Sequence, residues 1–208
     1  TGIATDFSAV IKGVVATNLL LALVGIMVCS IILGMGVPSV VCYLLMATLM
    51  GSLLGELGVI PLAAHLFIFY FGMMSMVTPP VALAAYTAAS IAQTDIMRSA
   101  FAAFRFSLVG FTLPFMFVFR PELLFLSADG SSVSLATALL SAVFVLVGII
   151  PMAAGIAGYL HEPLSPALRA ALLLSAALLF FPSRDVALLG TSISYLNLAG
   201  LTLFSLLL

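Results

Sequence analysis

The chain has 208 residues, 64% of them hydrophobic and only 6% charged, with a net charge of −1 and a mean hydropathy of +1.39. A soluble domain carries about 25% charged residues, so a soluble globular fold is excluded and an all-α integral membrane protein is expected. No basic tract offers a surface to nucleic acid or to an anionic lipid face, and no HExxH, CxxC, GxSxG or phosphate-loop pattern supplies enzyme chemistry.

Residues 1–13 hold Asp6 and Lys12 and read as an interfacial entry segment. They lack an initiating Met and a basic-then-apolar leader, so a piece of a longer polypeptide is expected. From residue 13 to 55 there is no charge, roughly twice the 20 or so residues a bilayer needs. The sequence Gly34-Met35-Gly36-Val37-Pro38-Ser39 divides this run. Its arms, 18–33 and 40–54, are each short for a span; the first reaches about 24 Å as a helix. Two short arms around a Gly/Pro tip fit a re-entrant hairpin over 18–54. Two ordinary but short helices are the alternative. Cys29 and Cys42 lie in these apolar runs and read as small packing residues.

Residues 56–61 form a turn, with Pro61 suited to the first turn of a helix. A broken helix follows over 62–92, with half-helices at 62–77 and 81–92 and Thr78-Pro79-Pro80 between them. Each proline lacks an N–H and clashes with the preceding turn, and Thr78 is pushed out of the α region by the proline after it. Residues 93–105 carry Asp95, Arg98 and Arg105 among Ala and Phe, and read as an amphipathic surface helix. A span over 106–119, kinked at Pro114, comes next.

The rest reads as a polar loop over 120–134 and a long span over 133–159 containing Pro151. Then come a loop over 160–166, a short span over 168–181, a turn at 182–185 and a last span over 186–208. Lys12, Arg120 and Arg184 fall on one side of this drawing and Arg98, Arg105 and Arg169 on the other, so the positive-inside rule gives no orientation.

Both interruptions expose backbone polar groups at membrane depth. In lipid that is tolerated only where the backbone is buried in protein or lines a cavity, and paired broken segments mark ion or substrate sites in secondary transporters. The carbonyls of Met35, Gly36, Val37 and Val77, with the Ser39 and Thr78 hydroxyls, are oxygen donors suited to a small hard cation. The N-terminal ends at Ser39 and Val81 present positive dipole suited to a carboxylate. Arg105 can pair with a substrate anion if it faces the cavity, and otherwise snorkels at a helix end. Against the site readings, Gly34 and Gly36 fit close helix packing and Pro79-Pro80 fits a plain kink. His65 reads as an interfacial or packing residue, Asn197 and Tyr195 as makers of helix–helix hydrogen bonds, and the Phe run at 111–119 as lipid-facing or packing surface.

The series Gly34-Met-Gly-Val-Pro-Ser39, Tyr43, His65-Leu-Phe-Ile-Phe-Tyr70, Ser75-Met-Val-Thr-Pro-Pro-Val-Ala82, Phe104-Arg105 and Pro114-Phe-Met-Phe-Val-Phe119 resembles the large membrane subunit of the tripartite ATP-independent periplasmic (TRAP) transporters. The subtype it is most similar to is the fused permease with TAXI-type binding proteins. The resemblance covers residues 1–124, and 125–208 would be accessory transmembrane helices. It implies the second of two inverted repeats and a permease component of a secondary transporter in the bacterial inner membrane. It also implies uptake of organic anions with Na⁺ as coupling ion, and an elevator-like or rocking movement. The implied partners are a periplasmic substrate-binding protein, a small membrane subunit or fused N-terminal half, and the bilayer. The tip and the Thr78 break would form one Na⁺ site beside the substrate, with the hairpin entering from outside, His65 outside, and Asp95 and Arg98 in the cytoplasm. Dicarboxylate-type relatives carry Gly where this chain has Ala82, so their substrates are not carried over. A stand-alone ion-coupled carrier and a channel compete with this reading. A membrane-embedded enzyme would need ionisable or metal-binding groups at depth; no carboxylate lies inside an expected span, and the histidine of the broken helix, His65, reads as interfacial or packing.

Overall fold

The computed structural model describes residues 18–180, 185–188 and 191–207. The entry segment at 1–13, Arg184 and most of the 182–185 turn lie outside them. The chain is a polytopic membrane protein whose regular structure, among the described residues, is helical apart from one short strand pair. Ser39–Glu56 and Leu135–Ala157 are each long and apolar enough to cross a bilayer, and Ile96–Ser107 with Gly110–Phe119 makes a third candidate if this pair, bent by 49°, is one span. The second hairpin arm is therefore not short for a span, unlike the expectation for 40–54, because the helix also takes in Ser39, Gly55 and Glu56. Two compact units divide the chain, Thr1–Val118 and Phe119–Leu208.

In the first unit, α1 (Leu19–Gly34) starts where the Asn18 side chain accepts from the backbone N–H of Leu20 at 3.0 Å and Leu21 at 3.3 Å. Such a cap satisfies donors that a helix start leaves without partners. Helix α2 (Ser39–Glu56) starts directly after Pro38, and α3 (Pro61–Met74) begins on its own proline. Gly58, at φ 82°, supplies the left-handed residue of the α2–α3 turn. Helix α3 packs against both α1 and α2 and buries Ala63, Ala64, Phe67, Ile68 and Phe71.

Lipid tails are as apolar as leucine, so this core is held by close packing rather than by escape from water. The phenyl rings supply it. Phe67 and Phe71 meet edge-on at 4.9 Å, Phe115 stands edge-on to both at 5.2 and 5.8 Å, and Phe111 joins Phe71 at 5.7 Å. Such pairs contribute about 0.5–1.5 kcal/mol each beyond their area. Phe111 and Phe115 are therefore packing surface, one of the two roles their sequence allows.

Beyond the second break lie α4 (Leu83–Ile91), α5 (Ile96–Ser107) and, after a short 3₁₀ turn at Gly110–Thr112, α6 (Leu113–Phe119). The Asp95 carboxylate caps α5 by accepting from the Arg98 N–H at 2.7 Å.

The second unit contains α7 (Leu135–Ala157), α8 (Pro166–Phe180) and α9 (Tyr195–Leu207). Two four-residue strands, Asp185–Leu188 and Thr191–Ser194, pair antiparallel before α9. The last helix therefore begins at Tyr195, not at Val186 as its apolar composition alone predicts. Glycines bring the three helices together. A methyl at Gly148 would sit 2.6 Å from Phe180, one at Gly155 2.8 Å from Leu173, and one at Gly200 2.8 Å from Leu179.

Two arginines close helix ends here. Arg169 donates from Nε to Gly155 O at 3.0 Å and from a terminal nitrogen to Ile156 O at 3.4 Å, at the end of α7. Arg120 is 4% exposed; it donates from Nε to Phe180 O at 2.8 Å and from a terminal nitrogen to Leu179 O at 3.0 Å, at the end of α8. The same terminal nitrogen donates to Asn197 Oδ1 on α9. A cation at a helix C-terminus faces the negative end of the macrodipole and satisfies carbonyls without helical partners. Arg120 reads from sequence as a loop residue; the structure makes it the clamp between α8 and α9. In the 120–134 loop, hydrogen bonds from the Ser127 and Ser131 hydroxyls and the Ser131 N–H hold the Asp129 carboxyl down to about 2.

Candidate ion and substrate site at two helix breaks

The first break follows from its glycines and proline. Helix α1 stops at Gly34, and Met35 N–H tightens the last turn onto Ile32 O at 3.3 Å. Pro38 is extended (φ −55°, ψ 141°), and its carbonyl accepts from the N–H groups of Val41 at 2.9 Å and Cys42 at 3.1 Å. The chain between cannot extend either helix. No hydrogen bond to the carbonyls of Met35, Gly36 or Val37 is found among the described residues, so these oxygens remain available.

The second break runs from a 3₁₀ turn at Ser75–Val77 to the start of α4. Thr78 is extended (φ −99°, ψ 121°), as a residue before proline is driven to be. The Pro79–Pro80 bond is cis. Thr78 is 8% exposed; its Oγ1 donates to Met74 O at 2.7 Å, and its carbonyl accepts from Ala82 N at 3.1 Å. The Val77 carbonyl accepts nothing among the described residues. Tyr86 Oη reaches back to donate to Pro80 O.

The two breaks touch. A methyl built on Gly34 would lie 2.6 Å from Ser75 Oγ and 2.8 Å from Gly72 O. One built on Gly72 would lie 3.4 Å from Cys42 Sγ and 4.0 Å from Ser39 O. The end of α1, the start of α2 and the end of α3 therefore meet at Gly34, Ser39, Gly72 and Ser75. By contrast, a methyl on Gly36 would meet nothing within 4 Å. Close packing thus explains Gly34 and not Gly36.

Gly72 and Ser75, which make the junction, are assigned no site role by the sequence reading. Ser75 Oγ donates to Gly72 O at 2.6 Å. Ser30, one turn before Gly34, is wholly buried; its carbonyl accepts from Cys42 Sγ at 3.3 Å, and its hydroxyl has no partner among the described residues. A usable signal is present: Ser30-x-x-x-Gly34 and Gly72-x-x-Ser75 are pairs of small residues one turn apart.

Val81 is half-buried, but α4 starts at Leu83. Its N–H therefore does not belong to the helix's first turn, unlike the expectation for a half-helix beginning at Val81. The cause is Ala82, whose backbone is left-handed (φ 33°, ψ 48°) while its side chain is fully buried with Ala85 and Ala100. Alanine costs roughly 1–2 kcal/mol over glycine in this conformation. Ala82→Gly is expected to leave thermal stability within about 1 kcal/mol, because relief of the left-handed backbone offsets a lost buried methyl. Ala82→Val combines a β-branched side chain with positive φ in a filled site, and thermal unfolding is expected to show a loss of more than about 2 kcal/mol.

Arg105 is exposed in the last turn of α5. Tyr43 Oη and His65 Nδ1 stand 3.1 Å apart on exposed faces of α2 and α3. No group of three or more His, Cys, Asp or Glu that could hold a metal occurs among the described residues. The oxygen atoms at the breaks are carbonyls and hydroxyls, a donor set that fits a hard monovalent cation and not a soft transition metal.

The family model described as "Tripartite ATP-independent periplasmic transporter, DctM component" matches residues 1–130. No curated protein and no solved structure matches the chain.

Proposed function

The chain belongs to the DctM component family of the tripartite ATP-independent periplasmic transporters, and from this premise we propose that it takes up organic anions, typically carboxylates, with Na⁺ as the coupling ion. It is a multi-pass membrane permease of a secondary transporter family. The fused, TAXI-type arrangement, the bacterial inner membrane, a periplasmic substrate-binding protein and a small membrane subunit or fused N-terminal half belong to the proposal.

The observation that carries it is the contact of the two breaks at Gly34 and Ser75. One break alone is a kink. Two breaks in contact, with carbonyls at Met35, Gly36, Val37 and Val77 that accept no hydrogen bond among the described residues, form an oxygen-rich locus beside the Ser39 and Thr78 hydroxyls. Na⁺ is held there by dipoles, and a substrate carboxylate lies beside the Ser39 end of α2, where positive dipole faces it. Val81 N–H lies next to the same break. The re-entrant hairpin over 18–54, built on α1 and α2, and the broken helix of α3 with α4 move together against a scaffold between outward and inward states.

The test is uptake by the full-length permease in proteoliposomes with a labelled carboxylate panel, an inward Na⁺ gradient and the binding protein encoded beside it. Uptake that needs both Na⁺ and the binding protein is the expected result. Uptake with Na⁺ alone makes the chain a stand-alone carrier and refutes the tripartite part. Uptake driven by neither gradient nor binding protein refutes ion coupling.

A further inference from the structure

Helix α5 is amphipathic in an unusual way. Its inner face, Ala100 with Ala103, packs on Ala82, Ala85 and Tyr86. Met97 and Phe101, one turn apart, are 47% and 58% exposed. At 100° per residue, they occupy the sector between that packed face and the one bearing Arg98 and Arg105. The exposed side of α5 therefore changes from apolar to cationic within this flank, and Phe106, 83% exposed near the helix end, lies on the far side of the arginines. Asp95 stands at the helix start, where its carboxylate is engaged by the Arg98 N–H at 2.7 Å. The helix leads through a 49° bend into the apolar segment Gly110–Phe119.

A helix wholly inside hydrocarbon would not place two arginines between its exposed phenylalanines, Phe101 and Phe106, and a helix wholly in water would not expose Met97, Phe101 and Phe106 together. The boundary between acyl chains and phosphates satisfies both, with the apolar side chains reaching down and the guanidiniums at headgroup level. We propose that α5 lies at the membrane interface and that Arg98 and Arg105 together bind the phosphate of an anionic phospholipid. Guanidinium donates two parallel hydrogen bonds to a phosphate, and the anion matches the cationic edge in charge. The proposal rests on the chain being a membrane protein, not on the Na⁺ site or the carried substrate.

These 208 residues contain no tryptophan, so Phe101→Trp, in a full-length permease with any tryptophan elsewhere replaced by phenylalanine, provides a single fluorophore on this flank. It would be reconstituted in phosphatidylcholine vesicles containing 30% phosphatidylglycerol, with bromine carried on one lipid class at a time and at shallow or deep acyl positions. Two results are expected. Shallow bromines quench the introduced indole more strongly than deep ones. Brominated phosphatidylglycerol quenches about fivefold more per molecule than brominated phosphatidylcholine, in line with the attraction of one basic residue to an anionic surface. In the same fluorophore background, Arg98→Gln with Arg105→Gln brings that ratio to about one. Met97→Trp on the same flank serves if Phe101→Trp does not fold. A ratio near one with both arginines present refutes the anionic-lipid site. Stronger quenching from deep bromines refutes the interfacial placement and makes α5 part of a crossing span. No quenching by any bromolipid means protein covers the flank, and the proposal fails.

Discussion

Gly34→Ala is expected to abolish uptake and to lower stability by about 1–3 kcal/mol, the usual cost of forcing a methyl into a filled site, while Gly36→Ala changes neither. The two glycines lie two residues apart in one motif, and composition does not separate them. Their surroundings do. The Gly34 methyl would meet Ser75 Oγ at 2.6 Å and the Gly72 carbonyl at 2.8 Å, and backbone atoms cannot yield as the tip of a flexible side chain can. Helix α1 would have to withdraw from α3, separating the two breaks. Gly36 has open space around its Cα, and an alanine there keeps its carbonyl. Thermal unfolding in detergent and uptake in proteoliposomes check both halves. A Gly34→Ala protein as stable and active as the parent contradicts the contact.

Arg120→Met is expected to cost about 3–5 kcal/mol, the range for removing one partner of a buried charged network. In a chain of this size that is a fall of roughly 10 °C in unfolding temperature. The loss takes charged donors from Phe180 O, Leu179 O and Asn197 Oδ1 at once. It also takes a positive charge from the negative end of α8. Arg120→Lys keeps the charge but not the planar fork, so an intermediate fall is expected. If methionine lowers the unfolding temperature by less than about 2 °C, the clamp contributes little to holding α8 and α9 together.

The contrast between this arginine and the breaks explains what the sequence makes legible. Gly34, Pro38 and Pro79-Pro80 act locally, through missing Cβ atoms and N–H groups, so both interruptions can be located from residue type alone. The carbonyls of Met35, Gly36, Val37 and Val77 at these interruptions accept no hydrogen bond among the described residues. What local chemistry does not reveal is partnership. Arg120 reads as a loop cation because its acceptors lie some sixty residues further along the chain, at Leu179 and Phe180. Gly72 and Ser75 look like unremarked helix positions, since their role is set by Gly34 on another helix. Proline at N1 or N2 usually opens a helix, which puts the start of α4 near Val81. A left-handed Ala82 delays it to Leu83, and no propensity scale anticipates that conformation for alanine. The start of α9 differs for a related reason: an apolar run does not distinguish helix from a short strand pair.

Whether the contact of the two breaks is the Na⁺ site is tested most directly at the Thr78 hydroxyl. Its Oγ1 donates to Met74 O at 2.7 Å, which leaves its lone pairs for a cation. The measurement is the Na⁺ concentration for half-maximal uptake by the full-length permease carrying Thr78→Ala or Thr78→Ser. About a tenfold rise is expected for alanine, equivalent to about 1.4 kcal/mol of lost coordination. For serine, which keeps the oxygen, a value within about twofold of the parent is expected. An unchanged Na⁺ dependence in the alanine protein would place the coupling ion elsewhere.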